Sequence, residues 1–169
     1  MGARHRVRQF LAASLPAKEP VLSADAVAAL SPAERALFLR LAPTCRHHSL
    51  AVYRRLRASG LEDIDLLKAA LLHDVGKAEA RIRLYHRVLG VLLRNLAVPL
   101  LLWLAREDAP SGPRYPFYVQ RHHASIGAKL AEAAGVSVRV VTLIARHHDQ
   151  PVSQDDDNLR ALRKADGAE

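Results

Sequence analysis

The sequence predicts an all-α fold in a single domain. Apolar residues recur at helical spacing in one segment after another, and no segment alternates apolar and polar residues as a half-buried strand would. Capping residues and Gly or Pro stops bracket these segments. At 169 residues, half of them apolar and a quarter charged, the chain suits one soluble domain that buries about two-thirds of its unfolded surface. There is no internal repeat and no linker.

The elements follow in order. A short helix is expected over Val7–Leu15, ended by Pro16. Ser31-Pro32-Ala33-Glu34 is a capping box with Pro at the first helical position, so a helix starts there. Pro43 interrupts or kinks it, and a second stretch carries His47-His48 through Val52 and Leu56 to a stop at Gly60. Asp63 or Asp65 caps the next helix, whose Ile64, Leu67, Ala70 and Leu71 lead into His73-Asp74. Gly76 is read as the end of that helix, where a positive φ is often required.

From Leu84 to Ala105 the chain is nearly all apolar, broken by His86, Arg87, Arg94, Asn95, Gly90 and Pro99. A membrane span needs about 20 mainly apolar residues, and two central arginines at about 2.5–3.5 kcal/mol each argue against one. A buried helix pair kinked near Pro99 is the leading expectation, with a dimer surface or a peripheral membrane contact as alternatives. Pro110–Pro116 reads as a loop. A helix with His122-His123, Ile126 and Leu130 stops at Gly135, and Ser137 caps another that carries Val140, Ile144 and His147-His148. Asp155–Asp157 is expected as a solvated loop before a last helix, Leu159 to Asp166.

The net charge of +8 comes from twenty arginines and five lysines against seventeen acidic residues. That balance favours a phosphate-bearing partner. No dense basic run interleaved with aromatics supports nucleic-acid recognition. Cys45 is alone, so no internal disulfide forms, and it is expected as a small buried residue. The basic start lacks an adjoining apolar core of about 7–15 residues, so a cytoplasmic location is expected.

Seven of the nine histidines fall in four tight places: His47-His48, His73 beside Asp74, His122-His123 and His147-His148. With Asp166 they form a set that a helical bundle can fold onto one centre. Imidazole nitrogen with carboxylate oxygen suits Mn, Fe, Zn, Ni or Co, and magnesium through the carboxylates. Asp74 has two oxygens and can bridge two ions. Two ions about 3.5–4 Å apart activate water and clamp phosphoryl oxygens.

The order of these residues resembles the HD superfamily of metal-dependent phosphohydrolases: a His, then His-Asp, then a late Asp. His48 in His-Ser-Leu-Ala-Val is similar to the first ligand of that family, Leu-Leu-His73-Asp74-Val-Gly-Lys to its signature, and Lys-Ala-Asp166 to its closing Ala-Asp. The resemblance covers residues from about 44 onward and implies a helical bundle of the HD type, residues 44–169, with residues 1–43 as a helical extension packed on it. It implies His48, His73, Asp74 and Asp166 as ligands of one divalent metal. Family context picks His123, four before Gly127, and His147, three after Ile144, as ligands of a second. Lys77 matches the lysine that contacts substrate phosphate and stabilises developing charge. His122, His148, Arg121 and Arg146 are read as substrate contacts.

The resemblance therefore implies hydrolysis of a phosphate ester or anhydride by a metal-activated hydroxide. Asp149-Gln150-Pro151 stands where the cyclic-dinucleotide branch has Gly-Tyr-Pro, and Gly76-Lys77-Ala78 replaces the acidic residues of the guanosine tetraphosphate hydrolases. What remains is closer to small bacterial HD hydrolases acting on nucleotides or dinucleoside polyphosphates. The alternative is a non-catalytic metal or nucleotide sensor that works through a protein or membrane partner.

Overall fold

The computed structural model describes Ala26 and residues 28–167, and the helix expected over Val7–Leu15 lies outside them. Ser31 caps α1 (Pro32–Arg40) by accepting from the Glu34 amide at 3.3 Å, while Glu34 Oε2 accepts from the Ser31 amide at 2.7 Å. Pro43 does not kink this helix but begins the next, α2 (Pro43–Ala58), because α1 already ends at Arg40. Gly60, with φ of 76°, turns the chain after α2.

Asp63 rather than Asp65 caps α3 (Ile64–Leu72), accepting from the Leu66 amide at 2.9 Å. Leu66, Leu67 and the run Ala69–Leu72 are all buried, so this helix is covered on nearly every side. It packs on α1, on α2, and on two later helices, α7 (Val138–Arg146) and α8 (Asp157–Asp166). A helix that is apolar almost all round belongs in the middle of a bundle. Phe38 of α1, Leu50 and Val52 of α2, Ile144 of α7 and Leu162 of α8 complete this core.

The end of α3 departs from expectation. The helix stops at Leu72, and Gly76 lies in a 3₁₀ turn, Val75–Glu79, without a positive φ. Its lack of a side chain serves contact instead. This turn lies against α6 (Tyr115–Ala133), and a Cβ on Gly76 would overlap the His123 carbonyl and sit 2.7 Å from the Gly127 amide nitrogen.

The apolar segment forms α4 (Leu84–Leu96) and α5 (Val98–Leu104). The break is at Ala97, with Pro99 in the first turn of α5. The pair is not buried, contrary to expectation: α4 buries only His86, Gly90 and Leu93, and α5 buries nothing. No described helix is long and apolar enough to cross a membrane. Tyr115 and Pro116 belong to α6 rather than to the preceding loop. Gly135, with φ of 74°, ends that helix region, and Ser137 caps α7 by accepting from the Val140 amide. No strand occurs among the described residues.

Adding one methyl group at Gly76 forces the turn off α6. Gly76→Ala is expected to destabilise the fold by at least about 1–3 kcal/mol in urea unfolding. Gly60→Ala meets open space and is strained only in φ, so its cost should be smaller.

Candidate metal centre

Three of the histidines are aimed by the same device. His73 follows the last residue of α3, His147 follows the last residue of α7, and His123 lies within α6. In each, Nδ1 faces the carbonyl oxygen three residues back: Ala70 at 2.9 Å, Gln120 at 2.9 Å and Ile144 at 2.7 Å. A carbonyl only accepts, so Nδ1 carries the proton and Nε2 is left with its lone pair. All three rings are almost wholly buried.

The carboxylates close the cluster. Asp166, the last residue of α8, accepts from His48 Nε2 of α2 at 2.8 Å, and His73 Nε2 lies 3.4 Å from the same oxygen. Asp74 Oδ1 lies 3.6 Å from His73 Nε2 and 3.3 Å from His123 Nε2. Lys77 Nζ bridges both Asp74 oxygens at 2.7 and 2.8 Å. His148 Nε2 is 3.1 Å from His123 Nε2.

Charge is strongly organised here. Burial works against ionised Asp74, but its neighbours, the Lys77 ammonium foremost, outweigh it and hold the carboxyl well below its ordinary range. Burial also opposes ionised Asp166, and its neighbours, the hydrogen bond from His48 foremost, reverse that. Burial, then the neighbouring His73 and His148, push His147 down to about 3. Burial and His123 push His148 down to about 4. Near neutral pH both imidazoles are therefore unprotonated, which is the state a metal requires.

The residues fit a metal. Nε2 of His73 and of His147 is buried without a hydrogen bond, a condition that costs about 1–3 kcal/mol per group when nothing compensates. Ligand atoms lie within 4.8 Å of one another in three sets: His48, His73 and Asp74; His73, His147 and Asp166; His123, His147 and His148. His73 and His147 each belong to two sets, so seven side chains form one continuous cluster. Imidazole and carboxylate donors suit divalent transition metals.

A cavity of about 310 Å³ opens over the cluster, lined by His48, Asp74, Lys77, Arg87, Arg94 and Gln120 among others. It shares Arg94, Gln120, His123 and His148 with a larger one of about 660 Å³ that adds Arg121, His122, Phe117 and the α5 residues Val98, Leu101 and Leu102. Arg87 donates to Thr44 Oγ1 at 3.3 Å. Among the described residues no carboxylate pairs with Arg87, Arg94 or Arg121.

Not every expected contact reaches this cleft. Arg146 lines neither cavity; Asp155 takes its Nη2 at 2.7 Å and Asp149 lies 3.5 Å from its Nε. Arg46 is buried and donates to the Leu39 carbonyl at 2.9 Å. His47 is exposed, and Cys45 is buried as a small residue beside His48. His122 stacks on Tyr118 at the rim, 4.6 Å between centroids. Arg87 and Arg94 were hidden in the sequence, because an apolar segment read as interior gave no reason to weigh them, and Gln120 of α6 has neither charge nor imidazole to single it out. Their signal is the seven-residue spacing of the two arginines, which places them on one side of α4.

Asp155 overturns the expectation of a solvated acidic loop. Its carboxylate is buried, pairs with Arg146 and Arg163, and accepts from the Val152 amide at 2.9 Å. Arg163 also donates to the Arg146 carbonyl at 3.0 Å. Asp155 thus ties the end of α7, which bears His147, to α8, which bears Asp166. The Val152 amide and then Arg163 keep its pKa below the ordinary carboxylate value. Its stabilisation is therefore fully present above that ordinary value and is lost as pH falls through the lowered one. Asp155→Asn is expected to unfold at lower temperature at neutral pH, with the gap to wild type closing in acid. Metal affinity should drop about 10–100-fold, as when the support of a ligand is removed.

Comparison with protein-family models matches residues 46–169 to the HD domain. No curated protein and no solved structure matches the chain. The matched stretch runs from α2 to α8 and includes every residue of the imidazole–carboxylate cluster. The chain belongs to the HD domain family, a superfamily of metal-dependent phosphohydrolases.

Proposed function

We propose that this chain hydrolyses a phosphate ester or anhydride, in a nucleotide or dinucleoside polyphosphate, with divalent metal bound at the cluster. The observation that carries the reading is an arginine-lined cleft lying directly over buried imidazoles and carboxylates. His48, His73, Asp74 and Asp166 would hold one ion, and His123 and His147, joined by His148, a second. Bound metal supplies Lewis-acid charge and lets water act as a nucleophile near neutral pH.

The chain's own side chains bind and orient the substrate. Arg94 and Arg121, unpaired with any carboxylate among the described residues, receive phosphate oxygens through charge-assisted hydrogen bonds. Lys77 lines the smaller cavity and holds Asp74 in place; its ammonium would stabilise negative charge on the phosphoryl oxygens. Phe117, Val98, Leu101 and Leu102 offer an apolar wall suited to a nucleobase. Arg146 acts at a distance, through Asp155, as a positioning residue for His147.

Elemental analysis of the purified protein, run beside a phosphate-release screen over nucleotides with Mn, Fe, Ni, Co, Zn and Mg, tests the proposal. About two ions per chain with turnover of a nucleotide is the expected result. Metal without turnover of any phosphate compound would favour a sensor. Asp74→Ala is expected to lose both metal and turnover, and metal retained at wild-type stoichiometry would sink the site assignment. Arg94→Gln should raise KM about ten- to a hundredfold with little change in kcat, the signature of lost phosphate binding.

A further inference from the structure

The helix pair α4–α5 is built inside out. Among the described residues fourteen large apolar side chains are exposed, and ten of them lie between Leu84 and Trp103. Leu89, Leu92, Leu96, Leu100, Leu102 and Trp103 are each 38–81 % exposed. On α4 the buried His86, Gly90 and Leu93 share one side, and the exposed Leu89, Leu92 and Leu96 share the adjoining one. Scattered exposed apolar residues are ordinary, but a concentration like this marks an interaction surface.

The charges say what kind. From Ala80 to Arg106 the chain has five arginines and no Asp or Glu. Arg83, Arg87 and Arg94, at spacings of four and seven, run along one flank of the apolar face. A second copy docked antiparallel about a two-fold axis would bring these arginines alongside their own counterparts, which like-charge repulsion opposes. An apolar face with arginines along its flank, and a Trp and a Tyr on it, matches the boundary of an anionic bilayer. Helices of 13 and 7 residues are too short to span, so they would lie in the plane of the surface.

We infer that α4–α5 is a docking surface for anionic lipid bilayers, with the leucines and Trp103 entering the headgroup boundary and the exposed Arg81, Arg83 and Arg106, which line neither cavity, meeting lipid phosphates. The larger cavity is lined in part by Arg94, Val98, Leu101 and Leu102 of the same pair. Docking therefore places the cleft beside the membrane surface.

Trp103 is the single tryptophan of the chain and reports directly. Its emission and the co-sedimentation of the full chain are measured with vesicles of phosphatidylcholine alone and of phosphatidylcholine with phosphatidylglycerol. Expected are a blue shift and pelleting with the anionic vesicles only, both fading as salt is raised. Leu96→Glu/Leu100→Glu should lower binding at least about tenfold, with circular dichroism and melting unchanged because both side chains are exposed. Arg81→Gln/Arg106→Gln, outside the cleft, should weaken binding and flatten its salt dependence.

Equal pelleting with neutral vesicles, or pelleting that survives Leu96→Glu/Leu100→Glu, would overturn the inference. So would a Trp103 shift that tracks protein concentration without lipid, which means a second copy covers the face. A monomer that ignores both vesicles points to a protein partner and equally rejects the bilayer. Asp74→Ala protein should bind vesicles like wild type, so failure of the hydrolase reading and failure of this one are distinguishable.

Discussion

Gly76 and Gly127 let the turn after α3 rest on the backbone of α6, and the placement of the site follows from that contact. A Cβ on Gly127 would lie 3.0 Å from the Gly76 amide nitrogen, and one on Gly76 would overlap the chain at His123. Only bare backbone allows the approach. Asp74 precedes the crossing by two residues, and His123 is part of it. The contact therefore sets a carboxylate from one element beside an imidazole from another, 3.3 Å apart, with no side chain between them. Close packing elsewhere in the bundle supports this distance but does not create it.

Around that contact the cluster is aimed by short-range bonds and held by one longer tie. Nδ1 bonds to carbonyls three residues back cost almost no ordering, since ring and carbonyl already lie on one helical turn. Asp155 does the longer work, joining the ends of α7 and α8 through Arg146 and Arg163. The centre gathers buried carboxylates and neutral imidazoles at close quarters. Such an arrangement persists because its supports lie outside it, on the bundle.

Much of this was legible in the residues, and the failures have physical causes. Ser31, Pro43, Asp63, Gly60, Gly135 and Ser137 act locally, so their caps and turns follow from spacing alone. Gly76 misled because a helix-ending glycine and a close-contact glycine look the same in sequence; only the partner, α6, tells them apart. Asp155 misled because a run of three acids reads as solvated, while its two cations come from the preceding helix and from eight residues on. The outward face of α4–α5 misled most. Apolar content measures how unfavourable water is, not what will replace it, so a segment left exposed on the bundle reads like core. Histidine order named the residues of the cluster, yet it carried no information on Arg87 and Arg94, which meet the cleft through α4, or on Gln120, which meets it from α6.

His48 and Asp166 meet across 118 residues of chain, and the other members of the cluster come from three places between them. An ion held there is a knot tied through nearly the whole bundle. Each ligand it gathers closes a loop whose entropy the unfolded chain would otherwise keep, and the cost of closing such loops grows only slowly with their length. Occupancy and global stability then become one linked quantity, so the abundance of the folded chain would follow the supply of metal in its surroundings.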